Sequence, residues 1–184
     1  MKTPRILATA IALLTAVPFH VSAQYWDAED YLNNSNVGNP LNWQGDIAPV
    51  NDGTASLFFN SVGIANSSTP NFAVAWSVNR LQVDTNYTLT GQAVTIGAGG
   101  LNLFGLGSVF FDNRINFTAD QSFDLAAQTA HFRGGLDINA TTLTLDSVNG
   151  GDFHTTGLYG TGTINQTGGT WHHKSGGYVS RSFS

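Results

Sequence analysis

An all-β chain wound as a parallel β-helix, with three short strands and about 21 residues per coil, is what this sequence predicts. Three observations carry the prediction. Apolar-x-apolar triplets recur from residue 81 onward, and every third triplet returns after 20 to 22 residues. The intervals hold turn formers, such as GAGG at 97–100, RGG at 133–135 and SVNGG at 147–151, and no long stretch has apolar residues at helical spacing.

Residues 1–23 read as a secretory signal peptide. Lys2 and Arg5 precede an apolar run from Ile6 to Val17, and the small residues Val21, Ser22 and Ala23 mark a cleavage point before Gln24. About a dozen apolar residues are too few to cross a bilayer, which takes about 20. The expectation is therefore a secreted or cell-surface chain with no membrane span after cleavage.

Residues 24–184 are enough for one domain with a sizeable core. Arg80, Arg114, Arg133, Lys174 and Arg181 stand against 12 acidic residues, a net charge of −7 for this part of the chain. Without clustered Lys and Arg to displace counterions, neither nucleic acid nor an anionic membrane surface is an expected partner. There are 0 Cys, so stability must come from packing and hydrogen bonding, and the 21 Gly with abundant Asn and Thr suit strands and turns.

Residues 24–76 read as an N-terminal cap with the first strands. An open β-helix end exposes unpaired backbone and apolar core, so a distinct closing segment is required, and Trp26 and Trp43 are expected as core plugs. Residues 77–172 read as the coils. The first face takes Leu81/Val83, Leu101/Leu103, Phe123/Leu125 and Leu143/Leu145; the second takes Tyr87/Leu89, Val109/Phe111 and Ala130/Phe132; the third takes Val94/Ile96, Ile115/Phe117 and Leu136/Ile138.

A strand of a coil crosses only one side of the tube, so three residues suffice, and the middle one points outward. The outward positions are Gln82, Asn102, Asp124 and Thr144, then Thr88, Phe110 and His131, then Thr95, Asn116 and Asp137; all but Phe110 are polar. An antiparallel sandwich is the competing reading, but its strands run to five or six residues with turns every 8–12, whereas these triplets start every six to eight. A further coil is expected to begin near Ile164, and 173–184 reads as a C-terminal tail.

YWD at 25–27, NW at 42–43, NDGTASLFF at 51–59 and VNRLQVDTNYTLTG at 78–91 resemble the autotransporter-associated β-strand repeat proteins, which are passenger-like exported bacterial proteins. The residues carrying the resemblance are Trp26, Asp27, Asn42, Trp43, Gly45, Pro49, Asp52, Ala55, Phe58, Leu81 and Tyr87. It implies a right-handed parallel β-helix displayed at or released from the cell surface, and it brings no catalytic residues. Members of that family usually continue into more coils and a barrel or sorting segment, whereas this chain ends at GGYVSRSFS. The chain is thus read either as a small soluble β-helix or as the start of a longer passenger, with end-to-end self-association expected if a coil end is open.

The expected role is structural or adhesive, as a module of a surface or extracellular protein, with surface glycans or other cell-surface proteins as partners, no catalysis and no cofactor. Because parallel β-helices also host polysaccharide lyases and hydrolases, a polysaccharide-binding or polysaccharide-cleaving chain is the alternative. Asp124, His131 and Asp137 fall on three different faces, so they do not converge as a carboxylate pair would. A step of about 21 residues places Asp152 next to His131, with Arg133 and His154 nearby, which is the one surface patch with acid-base potential.

His172 and His173 are strand neighbours and point to opposite faces, so no metal site is expected of them. Calcium loops, phosphate loops and nucleophile elbows are absent from the sequence. A Thr array able to order water is not built either, because the columns of Thr88 and Thr95 continue with Phe110 and Asn116.

Overall fold

Strict alternation of inward and outward side chains is the property that winds this chain. In the computed structural model, every apolar member of the ten predicted triplets is buried, and every described residue between them is part-exposed. The structure describes residues 23–84, 86–123, 125, 128–146, 150–175 and 179–183, with side chains as far as His173. The predicted signal peptide, apart from Ala23, and the outward Asp124 lie outside the described residues.

A leading strand β1 (Ala23–Tyr25) and a 3-10 turn at Pro40–Asn42 precede the first coil, formed by β2 (Ser56–Phe59), a short helix α1 (Ser61–Ile64), β3 (Asn71–Phe72) and the start of β4 (Trp76–Val83). The second coil takes the end of β4, then β5 (Thr88–Gly91) and the start of β6 (Val94–Leu103). The third takes the end of β6 with β7 (Gly107–Phe111) and β8 (Ile115–Phe117). Next come β9 (Gln121–Phe123), β10 (Gln128–Phe132) and β11 (Leu136–Asp137), then β12 (Thr142–Leu145), β13 (Asp152–Thr155) and β14 (Leu158–Tyr159). β15 (Thr163–Gln166), β16 (Thr170–Ser175) and β17 (Val179–Phe183) follow.

These strands stack into sheets ordered β1-β2-β4-β6-β8-β11-β14, β3-β5-β7-β10-β13-β16-β17 and β9-β12-β15. Among the described residues every strand pairing is parallel except that of β16 with β17, and the isolated bridge between Trp26 and Trp43 is antiparallel as well. The result is a parallel β-solenoid of about five turns and about 21 residues per turn. Ile164 pairs with Leu143, in agreement with a further coil beginning there. The backbone of the segment read as a tail, 173–184, contributes the end of β16 and all of β17, which close this sheet as an antiparallel pair.

β4 and β6 are longer than a triplet because each rounds the corner between the third face of one coil and the first face of the next. Their register shifts there: Val78 pairs with Ile96, and Arg80 with Gly100. The slack is taken up by the GAGG corner, where the Gly99 N–H donates to Asn79 Oδ1 at 3.1 Å. A Cβ on Gly99 would lie 2.8 Å from the Asn79 carbonyl oxygen, closer than real Cβ contacts come, so the corner requires glycine.

One expected alignment is corrected on the first face. Leu143 pairs with Gln121 and Leu145 with Phe123, so the fourth coil presents Gln121/Phe123, with Ser122 outward, rather than Phe123/Leu125 around Asp124. The physical reason is that the amide of Gln121 is needed inside. Its Oε1 accepts from the Leu101 N–H at 3.1 Å, and its Nε2 donates to the Gly97 and Ala119 carbonyls, satisfying the backbone that the Gly corner leaves unpaired.

The core is one continuous apolar column. Phe111 and Phe132, paired across β7 and β10, stack with centroids 4.7 Å apart; Phe153, which pairs with Ala130, tilts against Phe132 at 4.9 Å, and Phe123 stacks on Phe132 at 6.2 Å. Such aromatic pairs add about 0.5–1.5 kcal/mol each beyond their area burial. At the N-terminal end Trp26 and Trp43 meet edge to face at 5.3 Å, and both pack on Phe59. The indole N–H of Trp43 donates to the Val37 carbonyl at 2.7 Å. Both tryptophans are completely buried, as plugs should be. Among the described residues no helix is long and apolar enough to cross a membrane.

Candidate functional site: an imidazole ladder on the second face

On the second face, in-register pairing turns single outward residues into a column. β5, β7, β10, β13 and β16 align Thr88 with Phe110, Phe110 with His131, His131 with His154, and His154 with His172. Strands one rung apart are about 4.8 Å apart, close to the thickness at which flat rings stack. The rings do so: centroids are 4.6 Å apart for Phe110 and His131, 4.5 Å for His131 and His154, and 4.4 Å for His154 and His172, with interplanar angles of 16°, 19° and 11°.

The sequence had offered His131, Arg133, Asp152 and His154 as a patch, and the structure brings them onto one face with a different register. Thr129, not His131, pairs with Asp152, and His131 pairs with His154. The step between these rungs is 23 residues instead of 21. The next step, from His154 to His172, is only 18. A fixed period does not reach His172, which completes the ladder; the signal that could have found it is that each histidine directly follows an apolar strand residue, Ala130, Phe153 and Trp171.

The neighbouring His173 points the other way, as strand alternation requires, and its Nδ1 lies 2.8 Å from Thr155 Oγ1. Asp124 falls outside the described residues, and Asp137 sits on the third face. There it accepts from Arg114 at 2.7 Å, while the Arg114 guanidinium lies 4.1 Å from the centre of the Tyr159 ring.

Charge is arranged asymmetrically about the ladder. On one flank Asp152 Oδ1 lies 3.9 Å from His172 Nε2. On the other, Arg133 reaches over Phe110, with its guanidinium carbon 3.8 Å from the ring centre, and its Nη1 donates to Asp112 at 3.2 Å. On that second flank, His131, His154 and His172 with Arg133, Thr156 and His173 line a groove of about 310 Å³.

Burial holds the imidazole of His131 below its ordinary value, helped by His154 and Arg133 and opposed by Asp152. Burial likewise lowers His154, with His172 adding and Asp152 opposing. A like-charged stack is costly, so these rings are held neutral near pH 7, with each ring keeping an unprotonated nitrogen as acceptor or ligand. Asp152, His154 and His172 are all part-exposed, and one ligand atom from each lies within 4.8 Å of the other two. Because the faces of the inner rings are used in stacking, the ladder presents ring edges outward: hydrogen-bonding and ligand atoms rather than a flat apolar platform. Comparison of the chain with protein-family models, curated proteins and solved structures gives no match.

Proposed function

We propose that this chain is an exported structural or adhesive module of a passenger-like surface or extracellular protein, with the coils serving as a rigid display rod. The observation that carries this reading is the parallel stacking of about five turns, in which inward columns form one core and outward columns form regular faces. Such a rod presents the same side-chain position at each rung, which suits a contact surface that is long and repetitive. The signal-like N-terminus and the resemblance of Trp26, Trp43 and the NDGTASLFF stretch to autotransporter-associated repeats support export and display.

Fractionation of producing cells, with protease treatment of intact cells, tests the export. The chain is expected outside the inner membrane and lacking residues 1–23; retention in the cytosol with those residues attached would overturn the reading. Sedimentation velocity on the secreted chain then tests the display role, for which an extended β-rich particle that associates with itself or with cell surfaces is expected.

A second reading, a polysaccharide-binding or polysaccharide-cleaving chain, is favoured by the groove beside the ladder. With ring faces occupied, it would hold a sugar by hydrogen bonds from the imidazole edges, Arg133 and Thr156. A sedimentation shift with one surface polysaccharide, and product release from it, would select this reading over the first.

A further inference from the structure

We infer that Asp152, His154 and His172 form a binding site for a divalent first-row transition metal ion that favours imidazole, of which zinc is the probe. One carboxylate and two imidazoles are a donor set suited to Zn²⁺, Cu²⁺ or Ni²⁺ rather than Ca²⁺ or Mg²⁺, which prefer oxygen donors alone. The three ligand atoms already lie within 4.8 Å of one another, with Asp152 Oδ1 and His172 Nε2 3.9 Å apart. Tetrahedral bonds of about 2.0–2.1 Å separate donors by about 3.4 Å. Closure therefore needs at most about 1.4 Å, which rotation about χ1 and χ2 of part-exposed side chains supplies without moving the strands.

The backbone defines the site well. His154 and His172 are paired residues on β13 and β16, and Asp152 shares the outward face of β13 two residues before His154. The strands thus hold all three Cα positions by ladder hydrogen bonds, and binding replaces the ring stack of His154 on His172 by two coordination bonds. The electrostatic asymmetry selects this end of the ladder: Asp152 draws a cation toward His154 and His172, whereas Arg133 repels it from His131. Three protein ligands leave a coordination position for water or for a donor from a second molecule.

The test uses the full purified chain without a polyhistidine tag, stripped with a chelator. Titration with Zn²⁺ by calorimetry near neutral pH, and with Co²⁺ by visible absorption, is expected to show one ion per chain and the cobalt bands of a tetrahedral site without thiolate. Changes to outer-shell partners alone cost about 10–100-fold in metal affinity, so D152N, H154N and H172N should each weaken binding by at least about tenfold.

H131N, one rung away, should leave the affinity within about twofold, because it removes no ligand. Far-UV circular dichroism checks that each variant keeps the parent's fold, which the part-exposed positions favour. Absence of saturable Zn²⁺ binding, or equal affinities for the parent and H172N, would overturn the site; so would a loss in H131N as large as that in H172N.

Discussion

The two ends of the second face's inward column differ in kind. Toward the N-terminal end the column is apolar and sealed: Leu89, Phe111 and Phe132 are wholly buried, and Tyr87 beside them donates its hydroxyl to the Asn60 carbonyl at 2.7 Å. Toward the other end the same positions become Thr155 and His173, and the neighbouring Trp171 is only partly buried and donates to Thr155 Oγ1 at 3.3 Å. Leu158 and Ile164 are likewise only partly buried. The outward column changes over the same coils from Thr88 and Phe110 to three histidines. Burial, and with it the resistance to opening, is concentrated in the first coils, whereas the groups able to bind a ligand gather where burial is weaker, as local stability and function commonly divide.

Substitution at the two ends measures that division. Trp43→Ala removes a fully enclosed indole and its hydrogen bond to Val37, and should cost about 3–5 kcal/mol in urea unfolding. Trp171→Ala, from a half-buried site, should cost about 1–2 kcal/mol. Equal losses would mean that the two ends are held alike. Tyr87→Phe keeps the ring and leaves the Asn60 carbonyl without its donor, for an expected loss of about 0.5–1.5 kcal/mol in the same assay. Amide exchange gives the comparison without mutation: protons of β2 and β4 should outlast those of β15 and β16.

The smallest effect is that of pH. Burial first, then neighbouring imidazoles, lowers His131 and His154 in the folded chain, while Asp152 opposes both and Arg133 adds at His131. As pH falls through the ordinary imidazole value of 6.5, the unfolded chain takes up protons before the folded one. Their contribution is therefore complete above 6.5 and diminishes below it until the lower folded values are passed. Urea midpoints taken with a chelator present should fall between about pH 7 and pH 5, and His154→Asn should flatten that fall. An unchanged slope in H154N would place the pH dependence elsewhere.

The fold was legible because its cause is local. Burying Leu101 and Leu103 while exposing Asn102 needs only a period of two, and the return of such triplets is written in the chain. Vertical alignment was legible only where corners keep their length. Val94, Ile115 and Leu136 do pair at the expected 21-residue steps. His131 to His154 and His154 to His172 do not, because a corner outside the core can gain or lose residues without disturbing a buried column. For that reason the patch is read from the sequence as Asp152 beside His131, while His172, weighed only against its strand neighbour His173, is set aside because the two point to opposite faces. Gln121 was hidden differently: a polar side chain occupies a core slot because the backbone of the preceding Gly corner needs its amide, and polarity alone cannot announce that.

The coil-on-coil register also has a mechanical meaning. Each turn adds only about one strand spacing, about 4.8 Å, to the rod's length, yet stores about 21 residues of chain. Pulled along its axis, such a rod should yield one turn at a time, each rupture releasing about 70 Å of slack. The first coils, sealed by Trp26 and Trp43, should be the last to let go.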